Sequence, residues 1–528
     1  MASHLSPTER AVQRLPAHLR RFVVPQHYDD YTERDHAVWR HVMEKLHAVL
    51  SASAHESYLD GLAATGIRTD RIPSLDEMNE RLGALGWSAV AVRGFIPPSV
   101  FTELQSLGVL AIAADIRSHE HVGYTPAPDI IHEAAGHAPI LTDKRYAAYL
   151  KACGEVGFRS IASIEDEATF EAIRHLSIVK EDPHSSANSI ELAEARLVAA
   201  GACRRYISEN TRASRLYWWT AEYGLVGSEN APKIYGAGLL SSMGEAAYCL
   251  TKDVAKYTLS SQAAETEYDI TRMQPQLFVA RDFEHLFDVL DGFSETLAWK
   301  RGGDFGLSEA YRSRTVNTVV LAHHTGGLEV TGRVVQVEHG QQKDGQNQDA
   351  KIILLDGPTM ISRNRRATAG PALLPAVLLR SPVALPHEGP FDLDCAGGLR
   401  ASGFMGPGME AVNLRVILDG AEVDMPTRAR VVAFEGITCV SGGPADPETW
   451  DRTFGSLSSL AGGTGEEAAR AAKAAEVPAA LTYLYRRVNG LQGKAVAGPS
   501  LEELTARAAQ FPGEWLLHGA IERLKQET

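Results

Sequence analysis

The feature that most constrains the fold is a change of hydrophobic period near residue 315. Before it, His36-Ala-Val-Trp-Arg-His-Val-Met-Glu-Lys-Leu46 repeats apolar residues at helical intervals, and Arg145 to about Leu250 reads as long helices with few breakers. After it, Leu328–Val337, Lys351–Leu355 and Asn413–Leu418 are β-branched and alternate apolar with polar residues, as strands do. Asp419-Gly420 lies between two such runs and predicts a tight hairpin. A helix-period pattern and a strand-period pattern do not share one layer, so a helical unit followed by a β-rich module is expected.

Smaller signals refine this division. Ser74 with Glu77, and Ser500 with Glu503, have the spacing of capping boxes, each just after a proline. Trp87–Arg93 reads as a short strand, His339–Asp349 as a polar turn, and Glu466–Ala480 and Trp515–Leu524 as helices. The expected organisation is a flexible arm over 1–24, a helical unit over 25–312, a β-rich domain over 316–445 and a helical region over 446–528.

Composition narrows the function. The 528 residues are 44% hydrophobic and 22% charged, which suits several globular domains with real cores. Acidic residues outnumber basic ones by 66 to 52, giving a net charge of −14, so a polyanionic nucleic acid is a poor partner. The five cysteines are widely spaced with no CxxC pair, as free thiols in a reducing compartment would be. With no apolar run of membrane-spanning length and no apolar leader, a cytoplasmic protein without membrane contact is expected.

The dense chemical signal is Tyr124-Thr-Pro-Ala-Pro-Asp-Ile-Ile-His-Glu-Ala-Ala-Gly-His-Ala-Pro-Ile140. His132 and His137 stand five apart, not four as in the H-E-x-x-H motif of zinc peptidases. In a regular helix that spacing turns one ligand about 140° from the other. Gly136 offers relief, by letting the backbone deform or by ending the turn so that His137 swings back. Glu222, within the aromatic run Leu216-Tyr-Trp-Trp-Thr-Ala-Glu-Tyr-Gly-Leu225, is costly to bury unless it is paired or bound to a metal. Two histidines and one carboxylate form the facial triad typical of Fe(II) oxygenases. Composition alone leaves Glu222 evenly divided between a metal ligand and a buried ion-pair partner.

These segments resemble the pterin-dependent aromatic amino acid hydroxylases. Pro-Asp-Ile-Ile-His-Glu-Ala-Ala-Gly-His-Ala-Pro (128–139) is similar to the iron motif of that family. Trp218-Trp-Thr-Ala-Glu-Tyr-Gly-Leu225 and Tyr235-Gly-Ala-Gly-Leu-Leu-Ser-Ser-Met-Gly-Glu245 resemble two further signatures, and the likeness runs from about Pro25 to residue 312. It implies a mainly α catalytic domain, a basket of helices with a small sheet, followed here by the β-rich module and the C-terminal helical segment. It implies Fe(II) held by His132, His137 and Glu222, with a tetrahydropterin (tetrahydrobiopterin or a bacterial analogue) and O₂ as co-substrates. Arg117 matches the residue that grips the substrate carboxylate, and Thr125, Trp218 and Ser241 match residues around the substrate. Phe101 matches the aromatic that stacks on the pterin, and Gly94, Phe95 and Ile96 match the backbone strip along its edge. Glu133 and Tyr217 match polar residues near the pterin and the iron waters, and Glu133, Tyr217 and Ser241 are the expected catalytic helpers.

Phenylalanine is the first-choice substrate, because Ile270 stands where tyrosine hydroxylases of the family tend to carry an acid. Tyrosine or tryptophan hydroxylation in the same family is the alternative. A zinc peptidase using H-E-x-x-x-H is the alternative of a different class, but Glu222 has no acidic neighbour and Tyr235–Glu245 has no job in it. The chain also departs from the family: Pro98 stands where animal members carry a serine near the pterin. The resemblance says nothing about residues 316–528, for which assembly of like copies through the C-terminal region is an expectation.

Overall fold

The computed structural model describes residues 5–119, 122–123, 128–181, 185–270, 272–314, 318–323, 327–340, 349–395, 398–454, 477–491 and 498–527. Its architecture is a mainly helical unit with two small sheets, then one large sheet, then C-terminal helices. The helix predicted from Asp35 is Glu33–Ser53, started by a capping box in which Thr32 and Asp35 exchange side-chain and backbone hydrogen bonds. Its buried stripe, Val38, Trp39, Val42, Met43, Leu46 and Leu50, follows the helical spacing read from the sequence.

The capping box expected of Ser74 and Glu77 does not form. The helix Leu75–Leu82 starts after Ser74, but Ser74 makes no side-chain cap bond. The Leu75 N–H is instead taken by Gln26 Oε1, and Glu77 turns away to Arg71 at 2.6 Å. Nor is the amino-terminal segment a loose arm where it is described. Pro7–Arg14 and Ala17–Arg20 are helices, the first with a complete Ser6/Glu9 capping box. Ala11, Leu15 and Leu19 bury against Val90, Val92, Val100 and Leu104. Burial of such side chains stabilises by about 1.5–3 kcal/mol each, which holds the segment down.

Ser88–Val92 is a strand and pairs in parallel with Val109–Ala113, the helix Pro98–Ser106 crossing between them. Parallel pairing puts the carboxyl ends of both strands at one edge. Gly94, Phe95 and Ile96 leave the first strand there, and Arg117 follows the second. The long run from Arg145 is helical over Lys144–Arg159, Ile164–Glu181, Ala187–Ala202 and Glu209–Tyr217, but is then broken by a hairpin, Leu225–Ser228 with Ala231–Ile234. That hairpin joins Gln276–Ala280 and Ala255–Thr258 in a four-stranded sheet.

The β-rich module is one 11-stranded sheet running from Thr318 to Gly442. Pairing is antiparallel except between Ala376–Arg380 and Arg428–Phe434. Alternate residues of one strand serve two apolar clusters: Ala376 and Leu378 belong to one, Val377 and Leu379 to the other. The first cluster also contains Ala298, Leu307 and Ala310, so this face of the sheet closes over the last helices of the helical unit. The Asp419-Gly420 turn is present, with both residues at positive φ (51° and 85°), the geometry a two-residue hairpin needs.

The C-terminal helices Ala479–Asn489, Gly498–Ala508 and Trp515–Glu527 return to the catalytic unit. Leu481, Leu484, Tyr485, Leu517, Ile521 and Leu524 share one core with Val38, Trp39 and Val42. The helix expected to be capped by Ser500 starts two residues earlier, at Gly498. Residues 466–476 of the expected Ala-rich helix and 341–348 of the expected polar turn lie outside the described residues. No helix among the described residues is long and apolar enough to cross a membrane.

Candidate metal centre

The spacing problem posed by His132 and His137 is solved by the helix itself. Ile131–His137 is π-helical, a wider turn closed by i→i+5 bonds, so ligands five apart return to one face. Gly136 is needed for a different reason from the one expected. Its φ is not left-handed, but a Cβ there would lie 2.7 Å from the Ala237 carbonyl oxygen. The glycine therefore permits the close approach of the helix Ala237–Ser241 rather than a special backbone shape. Glu222 also ends a π turn, Trp218–Glu222, in which the Tyr223 N–H bonds the Trp218 carbonyl at 2.8 Å.

These two turns bring the triad together. Ligand atoms of His132, His137 and Glu222 all lie within 4.8 Å of one another. His132 Nε2 is 3.3 Å from one carboxylate oxygen of Glu222, and His137 Nε2 is 3.1 Å from the other. The imidazole planes cross at 88° with centroids 5.2 Å apart. At 3.1 Å the His137 contact is still not a hydrogen bond: neither nitrogen of His137 has a hydrogen-bond partner among the described residues. A buried imidazole with an ion-pair contact but no hydrogen-bond partner is incompletely satisfied, and a cation shared by the three ligand atoms would satisfy Nε2. The donor set of two imidazoles and one carboxylate, with open positions, suits non-haem iron.

The surroundings prepare the ligands. Ser241 Oγ donates its proton to the Ala237 carbonyl at 2.7 Å, so at 3.0 Å from His132 Nδ1 it accepts. This sets the proton of His132 on Nδ1 and leaves Nε2 free to bind metal. Burial pushes the Glu222 carboxyl up, but His137 and His132 outweigh it and hold Glu222 below its ordinary range, as the charged ligand. Burial lowers His132, offset in part by Glu222, which favours the neutral imidazole a metal requires. Glu133 is also buried but is not a ligand in this geometry; burial pushes its carboxyl up to about 8.

Beside the triad, Arg117 is buried and bidentate on Asp129, with Nε–Oδ2 at 2.8 Å and Nη2–Oδ1 at 2.9 Å. Nη1 reaches the Val122 carbonyl at 3.3 Å. A guanidinium has five N–H groups, so one on each terminal nitrogen has no partner among the described residues. Asp129 Oδ1 also accepts the His132 N–H at 3.1 Å, tying Arg117 to the first metal ligand. Burial opposes both charges, yet each is held charged by the other: Arg117 above its ordinary range and Asp129 below it.

The sequence singled out neither Asp129 nor Gln105. The signal for Asp129 was a lone acid before the apolar pair Ile130-Ile131, three residues ahead of a ligand. Gln105 donates to the Tyr217 hydroxyl at 2.8 Å, and the Phe101 ring meets the Tyr217 ring edge-on at 5.9 Å. Trp218 is stacked between Tyr223 and Tyr268, at 4.4 and 4.3 Å. Gly94 is at φ 58°, a left-handed turn that follows the strand and precedes Phe95 and Ile96. Thr125 lies outside the described residues.

Fold and site thus define a facial-triad metalloprotein built on a helical basket. Residues 23–180 and 162–317 match the model of the biopterin-dependent aromatic amino acid hydroxylase family, more than half of the chain. The chain is 31% identical over 261 residues to phenylalanine-4-hydroxylase of Pseudomonas aeruginosa, 49% of this chain and 82% of that one. It is 29% identical over 272 residues to the Chromobacterium violaceum enzyme of the same name, 51% of this chain and 76% of that one. The structure of the latter with bound oxidised Fe(III) covers 54% of this chain and 88% of its own, at 28% identity and a TM-score of 0.41. The chain belongs to the biopterin-dependent aromatic amino acid hydroxylase family. Its active site is that of a non-haem iron, pterin-dependent monooxygenase, and the peptidase alternative is set aside.

Proposed function

We propose that the protein converts L-phenylalanine to L-tyrosine with O₂, Fe(II) and a tetrahydropterin. The observation that carries the reaction class is the convergence of His132, His137 and Glu222 within one site of a chain of this family. Iron and the tetrahydropterin together supply the activation of O₂. The remaining work falls to side chains of the chain. His132, His137 and Glu222 hold the iron, with Ser241 aligning His132. Arg117, kept charged by Asp129, offers its free N–H groups to the substrate carboxylate. Trp218, fixed between two tyrosines, forms an apolar wall for the ring, and Thr125 is assigned to the substrate from the sequence match alone.

Gly94, Phe95, Ile96 and Phe101 form the pterin subsite at the shared carboxyl edge of the two parallel strands. Glu133, neutral near pH 7 because it is buried, has a proton to donate to the pterin edge. Tyr217, held by Gln105, orders water beside the metal. Phenylalanine is favoured because Ile270 stands where tyrosine hydroxylases of the family tend to carry an acid that could pair with a phenol hydroxyl. The names of the relatives agree with that choice. In this reading 25–312 is the catalytic unit, 316–445 a separate domain and 446–528 an appended helical region, and the described part of the 1–24 segment packs on the catalytic unit. The same reading has the protein cytoplasmic and self-associating through the C-terminal region, which light scattering of the full chain tests.

The substrate test is an assay of Fe(II)-loaded protein with phenylalanine, tyrosine and tryptophan, each with and without tetrahydropterin. Tyrosine formed from phenylalanine only with pterin is expected. A hydroxylated product from tryptophan or tyrosine in its place would reassign the substrate.

A further inference from the structure

The C-terminal helix Trp515–Glu527 lies outside the family match, which ends at 317, yet it reaches the amino-acid end of the site. Trp515 Nε1 donates to the His119 carbonyl at 3.1 Å. His119 lies two residues after Arg117, whose Nη1 reaches the Val122 carbonyl at 3.3 Å. Ahead of Arg117, the Asp115 carbonyl takes the Ile130 N–H at 2.9 Å. The Trp515 bond thus ties the C-terminal helix to the backbone two residues after Arg117.

The tether is itself held firmly. The Trp515 ring meets His41 edge-on at 5.1 Å and 88°. The preceding residue, Glu514, is buried, accepts from the Tyr485 hydroxyl at 2.8 Å and pairs with Arg34 at 3.0 Å. Arg34 and His41 both belong to the helix Glu33–Ser53, and Leu516 and Leu517 enter the main core beside it. The position of Trp515 is therefore fixed by the catalytic unit's longest helix, although its ring is exposed at the surface.

We propose that Trp515 is a positioning residue: it holds the backbone at His119, two residues after Arg117, so that the guanidinium stays aimed at the substrate carboxylate. The proposal rests on the reading of Arg117 as the carboxylate-binding residue. An appended helical region thereby completes the amino-acid subsite of the catalytic unit, which gives part of the extra chain a role in substrate affinity.

The test uses the full chain with Trp515→Phe, which keeps a ring against His41 and removes only the N–H, with Trp515→Ala and Arg117→Lys alongside. For Trp515→Phe a rise of about 3- to 10-fold in KM for the amino acid is expected, the loss of one hydrogen bond at an exposed site. The values of kcat and of KM for the tetrahydropterin stay within twofold of the parent. In iron-free protein, hydrogen exchange at the Arg117–His119 amides quickens in Trp515→Phe and more in Trp515→Ala. A parent-like KM and parent-like exchange in both Trp515 variants, beside a raised KM in Arg117→Lys, overturns the proposal alone. An unchanged KM in Arg117→Lys overturns the Arg117 reading and with it this one. A common loss of kcat, of both substrate affinities and of melting temperature in Trp515→Phe also overturns it, since that is a structural defect.

Discussion

Replacing Gly136 by alanine separates two accounts of the metal-binding turn. In a helix, alanine is favoured over glycine by about 1 kcal/mol, and the Gly136 backbone lies outside the left-handed region. On backbone grounds alone the substitution stabilises. The structure says otherwise, because the added Cβ stands 2.7 Å from the Ala237 oxygen, 3.1 Å from the Ala237 Cβ and 3.2 Å from its carbonyl carbon. Ordinary contact starts near 3.4 Å, so the helix Ala237–Ser241 has to retreat by about 0.7 Å. Overpacking of this kind costs about 1–3 kcal/mol, which outweighs the helical gain and leaves a net loss of about 1 kcal/mol. The retreat also lengthens the 3.0 Å bond from His132 Nδ1 to Ser241. Losing such an outer partner lowers metal affinity about 10- to 100-fold. The assays are thermal unfolding of the metal-free protein and anaerobic Fe(II) binding in competition with a chelator. Gly136→Ala is expected to melt lower and bind Fe(II) at least about tenfold more weakly. A variant that melts at or above the parent and binds Fe(II) equally would refute the close-contact argument.

Three further outcomes follow from the same geometry. Ser241→Ala removes the acceptor at His132 Nδ1 and should weaken Fe(II) binding about 10- to 100-fold while leaving the fold intact, as chelator competition and circular dichroism check. Asp129→Asn leaves the buried Arg117 without its counter-charge and should cost about 3–5 kcal/mol in urea unfolding at neutral pH; a loss below 1 kcal/mol contradicts the pairing. Glu209 accepts from the Ile161 and Ala298 N–H groups, and burial pushes its carboxyl from the ordinary 4.5 to about 7. Because its folded value is the raised one, its contribution is full below about pH 4.5 and is lost as pH rises through 7, by up to about 3 kcal/mol. The melting temperature of Glu209→Gln relative to the parent should therefore climb between pH 5 and pH 8, and a constant gap counts against this account.

What the sequence made legible was the chemistry more than the path of the chain. His132 and His137 could be picked out because metal ligands must be of a few types, whereas composition left Glu222 evenly divided between ligand and ion-pair partner and only the family resemblance made it the third ligand. The five-residue spacing announced a deformed helix, but not that the deformation is a π turn or that Glu222 sits on a second one, because i→i+5 bonding leaves no mark in apolar periodicity. Asp129 was hidden because its role depends on Arg117, twelve residues away and brought close by the turn between strand and helix. The Asp419-Gly420 hairpin was readable from two residues, since the turn itself demands them. The hairpin at Leu225–Ile234 was not, because its strands are short and follow directly on a helical run. The docking of Pro7–Arg14 and of the C-terminal helices rests on contacts with residues far away in the chain, which local pattern does not encode.

The most direct measurement is incorporation of isotopically labelled oxygen from O₂ into product by the anaerobically Fe(II)-loaded protein with phenylalanine and tetrahydropterin, beside His132→Ala and Glu222→Ala. The account predicts one labelled oxygen on the aromatic ring, dependent on pterin and lost in both variants together with bound iron. Labelled product that persists in either variant, or none from any aromatic amino acid despite bound iron, would contradict it.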